Sequence, residues 1–219
     1  IELNGPYEIK PRDITIASDP SSAAFFIVGA LIIPKSIITL KNIALNKTRI
    51  AFIDVLKKMG GKIKVKRTKT VSGENVGDIN VMYSLLKSTS IKASLSPYLI
   101  DEYPILSIAA SQAKGVTVMR GLSELRHKES DRINSIITNL SRIGFKVVSK
   151  KDDISIKGEK KINIISQKKI KTYGDHRIAM SFAILGLLFK NKLSIDDESC
   201  ISISYPDFKK HLKKLSSKK

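Results

Sequence analysis

Three short stretches of the 219-residue sequence gather ionisable side chains where periodic patterning breaks. Tyr98-Leu-Ile-Asp-Glu-Tyr-Pro104 sets two adjacent carboxylates, Asp101 and Glu102, ahead of an apolar run. Leu125-Arg-His-Lys-Glu-Ser-Asp-Arg132 is polar at every position after its leucine, and Tyr173-Gly-Asp-His-Arg-Ile178 places His176 and Arg177 beside Asp175. Carboxylates can exchange protons, a histidine titrates near neutrality, and Lys and Arg donate to phosphate or carboxylate groups. Taken alone, Lys128 to Arg132 also reads as a solvated helix start with local ion pairs. Two such loops, each opening a helix and each carrying an arginine, would aim two guanidinium forks at one cleft, a geometry that suits a planar carboxylate or a phosphate.

The elements that must position these groups recur as an internal repeat. Asp19 precedes an apolar helix pattern through Ala23, Phe25, Ile27, Val28 and Leu31, followed by a strand-like Ser36 to Ile43. A second helix, Ile50 to Met59, ends at Gly60-Gly61, and alternating Lys62-Ile-Lys-Val-Lys66 reads as a half-buried strand. Ser72-Gly-Glu-Asn-Val-Gly77 carries turn signals. The order returns from Asp101: a helix through Ile105 to Ala110, a strand Val116 to Arg120, a helix Arg132 to Ile143 capped by Gly144, then Lys146 to Val148. It returns again from Asp175, with an apolar helix to Leu188, a strand Lys192 to Ile195 and a helix Phe208 to Leu215.

The pattern predicts an α/β chain (α+β by some schemes) of three βαβαββ-type units, at about 18–83, 84–165 and 166–219. No unit of that size buries its apolar helix alone, so the apolar helices should pack inside with sheets outside. An open doubly wound sheet is disfavoured, because its Gly-rich strand-to-helix turn is absent. Asp19, Asp101 and Asp175 are each placed to cap an apolar helix. Three helix N-termini on one side would also suit an anionic ligand.

Composition narrows the classes. With 42% hydrophobic residues and no apolar run near the eighteen or so that a membrane helix needs, the chain reads as globular, cytoplasmic and free of membrane association. A single Cys200 excludes an internal disulfide, and His127, His176 and His211 lack metal-ligand spacing, so no metal is expected. The formal charge of +19 invites a nucleic-acid reading, yet aromatics make up only 6% and no nucleic-acid motif is present. A solvated lysine surface explains the excess better, and no specific nucleic-acid partner is expected. The chain opens on Ile1 without a clear element of its own, and is expected to be part of something longer.

The residues resemble a known family. Leu99-Ile-Asp-Glu-Tyr-Pro104, Lys128-Glu-Ser-Asp-Arg132 and Gly174-Asp-His-Arg-Ile-Ala-Met180 look like three signature stretches of the EPSP synthases, the 3-phosphoshikimate 1-carboxyvinyltransferases, in that order. Ser18-Asp-Pro-Ser-Ser-Ala-Ala24 and Ser204-Tyr-Pro-Asp-Phe208 match as well. Each motif is short, but five in register are specific, and they cover nearly the whole chain. The resemblance implies one lobe of the enolpyruvyl transferase fold, the carboxy-terminal one. Residues 1–17 would close a missing first lobe and cross over, and 18–219 would form the second.

It further implies enolpyruvyl transfer from phosphoenolpyruvate to the 5-hydroxyl of shikimate 3-phosphate, with neither cofactor nor metal, by a monomeric full-length enzyme. By the same resemblance Asp101 is the base at the 5-hydroxyl and Lys128 binds shikimate 3-phosphate near it. Glu129 exchanges the proton at the methylene carbon, Arg132 and Arg177 clamp phosphoenolpyruvate, and His176 supports that site. Asp19, Asp131 and Asp175 read as caps and orienting groups. Two positions depart from some family members: Ile201 to Ser204 holds no lysine, and Glu124 stands where others have asparagine.

A related transferase acting on UDP-N-acetylglucosamine and a basic RNA-binding scaffold are the competing readings. The isolated chain is expected to be inactive without its first lobe.

Overall fold

The computed structural model describes residues 2, 4–6, 8, 10–160, 169–189 and 193–216. Its centre is formed by three helices, α1 (Pro20–Ile32), α3 (Tyr103–Ser111) and α5 (His176–Gly186), which pack against one another. Each is apolar on nearly every face, as a helix must be when neighbours surround it. In α1 even Ser21 and Gly29 are buried, and Gly29 faces Ile184 of α5.

A parallel crossover precedes each unit's sheet. Ser18 bridges Ile43 across α1, strand β4 (Ser90–Ile91) runs parallel to β5 (Val116–Met119) across α3, and Ile170 bridges Ile195 across α5. The same connection thus occurs three times around one core, and among the described residues the first and the third are each a single bridge. Of the expected strand Lys192 to Ile195, Lys192 lies outside the described residues.

Two sheets cover the helices. In the first, β3 (Glu74–Met82) lies between β1 (Ile37–Ala44) and β2 (Lys62–Val71), all antiparallel. On β2, Ile63 and Val65 turn inward while Lys62, Lys64 and Lys66 face solvent, which accounts locally for the lysine excess. The second sheet has the order β4-β5-β7-β6, with β6 at Lys146–Lys150 and β7 at Asp153–Lys157. Amphipathic α2 (Ala51–Lys58) and α4 (Arg132–Ile143) each bury one face. A short α6 (Ile201–Ser204) and α7 (Phe208–Ser216) close the chain, with Phe208 against Phe25, Phe26 and Tyr205.

Local signals act as their chemistry dictates. Asp19 accepts from the amides of Ser21 and Ser22, Asp131 from Asn134, and Asp175 from Arg177 and Ile178, so all three are caps. Gly144 ends α4 at φ 117°, a left-handed conformation that a side chain would strain.

Two expectations change, and one short element was not foreseen. The turn read over 72–77 contracts to Ser72-Gly73, both at positive φ, as a two-residue hairpin requires, and β3 already starts at Glu74. The four-residue α6 has too few residues to leave a periodic signal. Asp101 caps nothing: α3 opens at Glu102 without a side-chain cap, because the Asp101 carboxylate is drawn to two arginines instead.

Candidate active site

The first turns of α1, α3 and α5 lie on one side of the helix core, tied together by side chains. Arg132, the first residue of α4, is fully buried and spends its guanidinium on three carboxylates. Its Nε donates to Asp175 at 2.8 Å, its Nη1 to Asp101 at 3.1 Å, and its Nη2 to Glu129. Arg177, in the first turn of α5, donates from Nη2 to the other oxygen of Asp101 at 3.2 Å and from Nη1 to the Asp101 carbonyl at 3.3 Å. Asp101 therefore bridges two guanidinium groups, and Arg132 bridges two repeat units.

Asp175 does two jobs from full burial. One oxygen caps α5, while the other accepts from Arg132 and from the Ser130 hydroxyl at 3.1 Å. The loop read as a solvated helix start thus turns its last residue wholly inward. Burial alone would make a lone Arg132 costly, and the surrounding carboxylates offset that cost.

Electrostatics follow from this packing. Burial works against the Asp101 carboxylate, but Arg177, Arg132 and, farther off, Lys128 outweigh it and hold its pKa below the ordinary aspartate value. It is therefore ionised at neutral pH. Burial, and after it the charge of Arg177, lowers the pKa of His176, so the imidazole is neutral there. Burial also opposes the charge on Arg132, but Asp175 prevails and keeps it protonated. Glu102 runs the other way: it is buried, and that desolvation pushes its pKa up despite a hydrogen bond from Ser21.

Lys128 and Glu129 are exposed beside this cluster, so it opens to solvent on their side. Cavities of about 230 and 490 Å³ lie elsewhere, at the far ends of the core helices and beside the start of α1, and neither is lined by Asp101, Arg132 or Arg177. Among the described residues no group of three or more His, Cys, Asp or Glu is placed to hold a metal ion.

The sequence matches, over residues 1–212, the family described as EPSP synthase (3-phosphoshikimate 1-carboxyvinyltransferase). The chain belongs to the EPSP synthase family. It is 44% identical over 209 residues to the 3-phosphoshikimate 1-carboxyvinyltransferase of Petrotoga mobilis, covering 95% of this chain and 48% of that protein. Its identity to the Sphingopyxis alaskensis protein of the same name is 43% over 208 residues, or 95% of this chain and 47% of that one. The chain thus spans about half the length of these relatives.

Among solved structures it resembles EPSP synthase from Acinetobacter baumannii with a TM-score of 0.87 at 37% identity, over 92% of this chain and 46% of that one. The enolpyruvyl transferase NikO from Streptomyces tendae aligns with a TM-score of 0.70 at 15% identity, over 93% of this chain and 44% of that one, which supports the shared fold. The α/β architecture is thus that of one lobe of the family.

Of the six site residues singled out from sequence, the structure joins four by hydrogen bonds: Asp101, Glu129, Arg132 and Arg177. Lys128 acts on Asp101 through its charge, and His176 sits among Asp175, Glu129, Arg132 and Arg177 at distances where their charges affect it. Ser21, Arg49, Glu102 and Ser130 also join this face and were not selected. Glu102 had a signal in its adjacency to Asp101, whereas Arg49 had none. No helix among the described residues is long and apolar enough to cross a membrane.

Proposed function

We propose that the protein carrying this chain transfers the enolpyruvyl group of phosphoenolpyruvate to the 5-hydroxyl of shikimate 3-phosphate, with this chain as the carboxy-terminal lobe of a two-lobed cytoplasmic monomer. The observation that carries the reading is the Asp101 carboxylate held ionised between Arg132 and Arg177, at one end of a cluster that includes Glu129. Family membership supports the substrate pair. The residues of this chain then take the following parts.

Arg132 and Arg177 clamp the carboxylate of phosphoenolpyruvate, which takes the Arg132 Nη2 edge that Glu129 occupies in the unliganded lobe, while Asp101 stays bound to both guanidinium groups. Glu129 relays a proton to the methylene carbon, so C2 becomes electrophilic while the phosphate stays in place as the leaving group. The 5-hydroxyl oxygen attacks C2 and its proton passes to Asp101. Loss of a proton from the new methyl group back to Glu129 expels phosphate from C2 and restores the double bond. The hydroxyl proton leaves with phosphate or to solvent, and no redox change occurs. Lys128 orients the hydroxyl-bearing substrate, and neutral His176 offers a hydrogen bond to the same site.

The test mixes this chain with a separately produced first lobe and measures phosphate release from phosphoenolpyruvate with and without shikimate 3-phosphate. Release that depends on shikimate 3-phosphate and is abolished by Asp101→Asn or Glu129→Gln is expected. No release from lobes that demonstrably associate, or equal activity with a UDP-sugar acceptor, would overturn the reading.

A further inference from the structure

We infer that Glu102 is a positioning residue for Asp101: Ser21, itself held by Arg49, holds its buried carboxylate, and through the shared peptide this link holds the first turn of α3 in register with Arg132 and Arg177. Glu102 occupies the N-cap place of α3, yet its side chain makes no bond to its own helix. Instead its Oε1 accepts the Ser21 hydroxyl at 2.6 Å, a buried link between residues 81 apart that joins the starts of α1 and α3. A serine hydroxyl has one proton to give, and here Glu102 takes it. The Ser21 oxygen in turn accepts Arg49 Nη2 at 2.9 Å, and the same nitrogen binds Asp19, the cap of α1, at 3.1 Å.

This strut runs Asp19, Arg49, Ser21, Glu102 and ends one peptide from Asp101. The Asp101 carboxylate is held by two bonds of 3.1 and 3.2 Å, near the far end of useful hydrogen-bond length, beside a longer one of 3.3 Å from Arg177 to its carbonyl. A displacement of about 1 Å at the start of α3 is enough to break both, and misplacements of that size cost about a hundredfold in catalysis. A carboxylate with so little contact to water is otherwise an unfavourable choice for a simple tie between helices, which two apolar side chains would supply. The charged groups facing Glu102 are Arg177, Asp101 and Arg49.

The catalytic consequence rests on Asp101 being the base proposed above, so the first measurement is independent of activity. The titration of the Asp101 side-chain carboxyl is followed by carbon NMR in this chain, unliganded, for the parent, Ser21→Ala and Glu102→Gln. Loss of the strut in Ser21→Ala lets Asp101 relax from the guanidinium groups and raises its midpoint by about half a pH unit. Glu102→Gln keeps a carbonyl that accepts the Ser21 hydroxyl while removing a like charge, so its midpoint falls or stays. Folded Ser21→Ala protein titrating with the parent, or a rise in Glu102→Gln equal to that in Ser21→Ala, overturns the inference and leaves Glu102 a structural tie.

With the first lobe added, Ser21→Ala is expected to lower kcat about tenfold with KM for phosphoenolpyruvate little changed, and Glu102→Gln to retain most of the rate. A parent that releases no phosphate defeats the functional reading alone, since the titration still decides the positioning role.

Discussion

Two arginines in this chain stand at or just before the start of the second helix of a repeat unit and bind an aspartate that caps an apolar helix, Arg49 within its own unit and Arg132 in the next, and burial separates them. Arg49, just before α2, binds Asp19 at 3.1 Å with both side chains about half exposed, at 52% and 48%. Arg132, opening α4, binds Asp175 at 2.8 Å with both side chains at 0%. Each pair sets an arginine on a helix cap, but the first is half exposed to water and the second is surrounded by protein. Coulomb attraction, desolvation and salt screening all depend on that medium, so the two pairs should differ several-fold in energy. The unit that buries its arginine is the one whose carboxylates lie at the candidate site.

The largest test of this contrast is to remove each cation. Arg132→Met leaves Asp175 buried with only hydrogen bonds to support its charge and should cost about 3–5 kcal/mol in urea unfolding, whereas Arg49→Met should cost no more than about 1 kcal/mol. Equal losses would break the comparison.

A gentler change on the acidic side comes next. Asparagine caps helices as well as aspartate, so Asp175→Asn isolates the charged bond to Arg132, worth about 1.5–3 kcal/mol, while Asp19→Asn should fall within about 0.5 kcal/mol of the parent. Salt sharpens the contrast further. A double-mutant cycle on Arg49 and Asp19 should give a coupling of about 0.5 kcal/mol that fades toward zero in molar salt, while the Arg132 and Asp175 coupling should hardly respond.

The smallest effect is expected from pH. The folded pKa of His176 is lowered from 6.5, so the folded state prefers the neutral ring. Its contribution to stability is fully present above pH 6.5 and is lost as pH falls through the lowered value. His176→Gln should therefore flatten the decline in thermal stability just below pH 6.5. A decline identical to the parent's would mean that the buried cluster does not feel the imidazole charge. Asp101 acts farther down: its lowered pKa stabilises the fold above the ordinary value of 3.8 and that share disappears as pH falls through the folded value.

Much of the architecture was readable because it is encoded by neighbours in sequence. The helix expected from Arg132 to Ile143 is α4 with those bounds, its end fixed by Gly144. Asp19, Asp131 and Asp175 cap as their positions imply, since a cap depends on amides two or three residues away. The three candidate segments were legible because their polar residues interrupt apolar periodicity. Less was visible where partners are far apart. Asp101 looked like a fourth cap, but its neighbours in space are Arg132 and Arg177, 31 and 76 residues away. Arg49 drew no attention, because nothing nearby in sequence reveals a serine 28 residues earlier that links it to Glu102.

The sequence by itself determined the repeat, the apolar helices and their caps, all of which follow from side-chain period and from hydrogen bonds within a turn. Only the tertiary structure decided which carboxylate each arginine takes and how dry each pair is. That choice depends on three units closing around one core, because the free energy of a charge is set by what surrounds it rather than by the residues beside it in the chain.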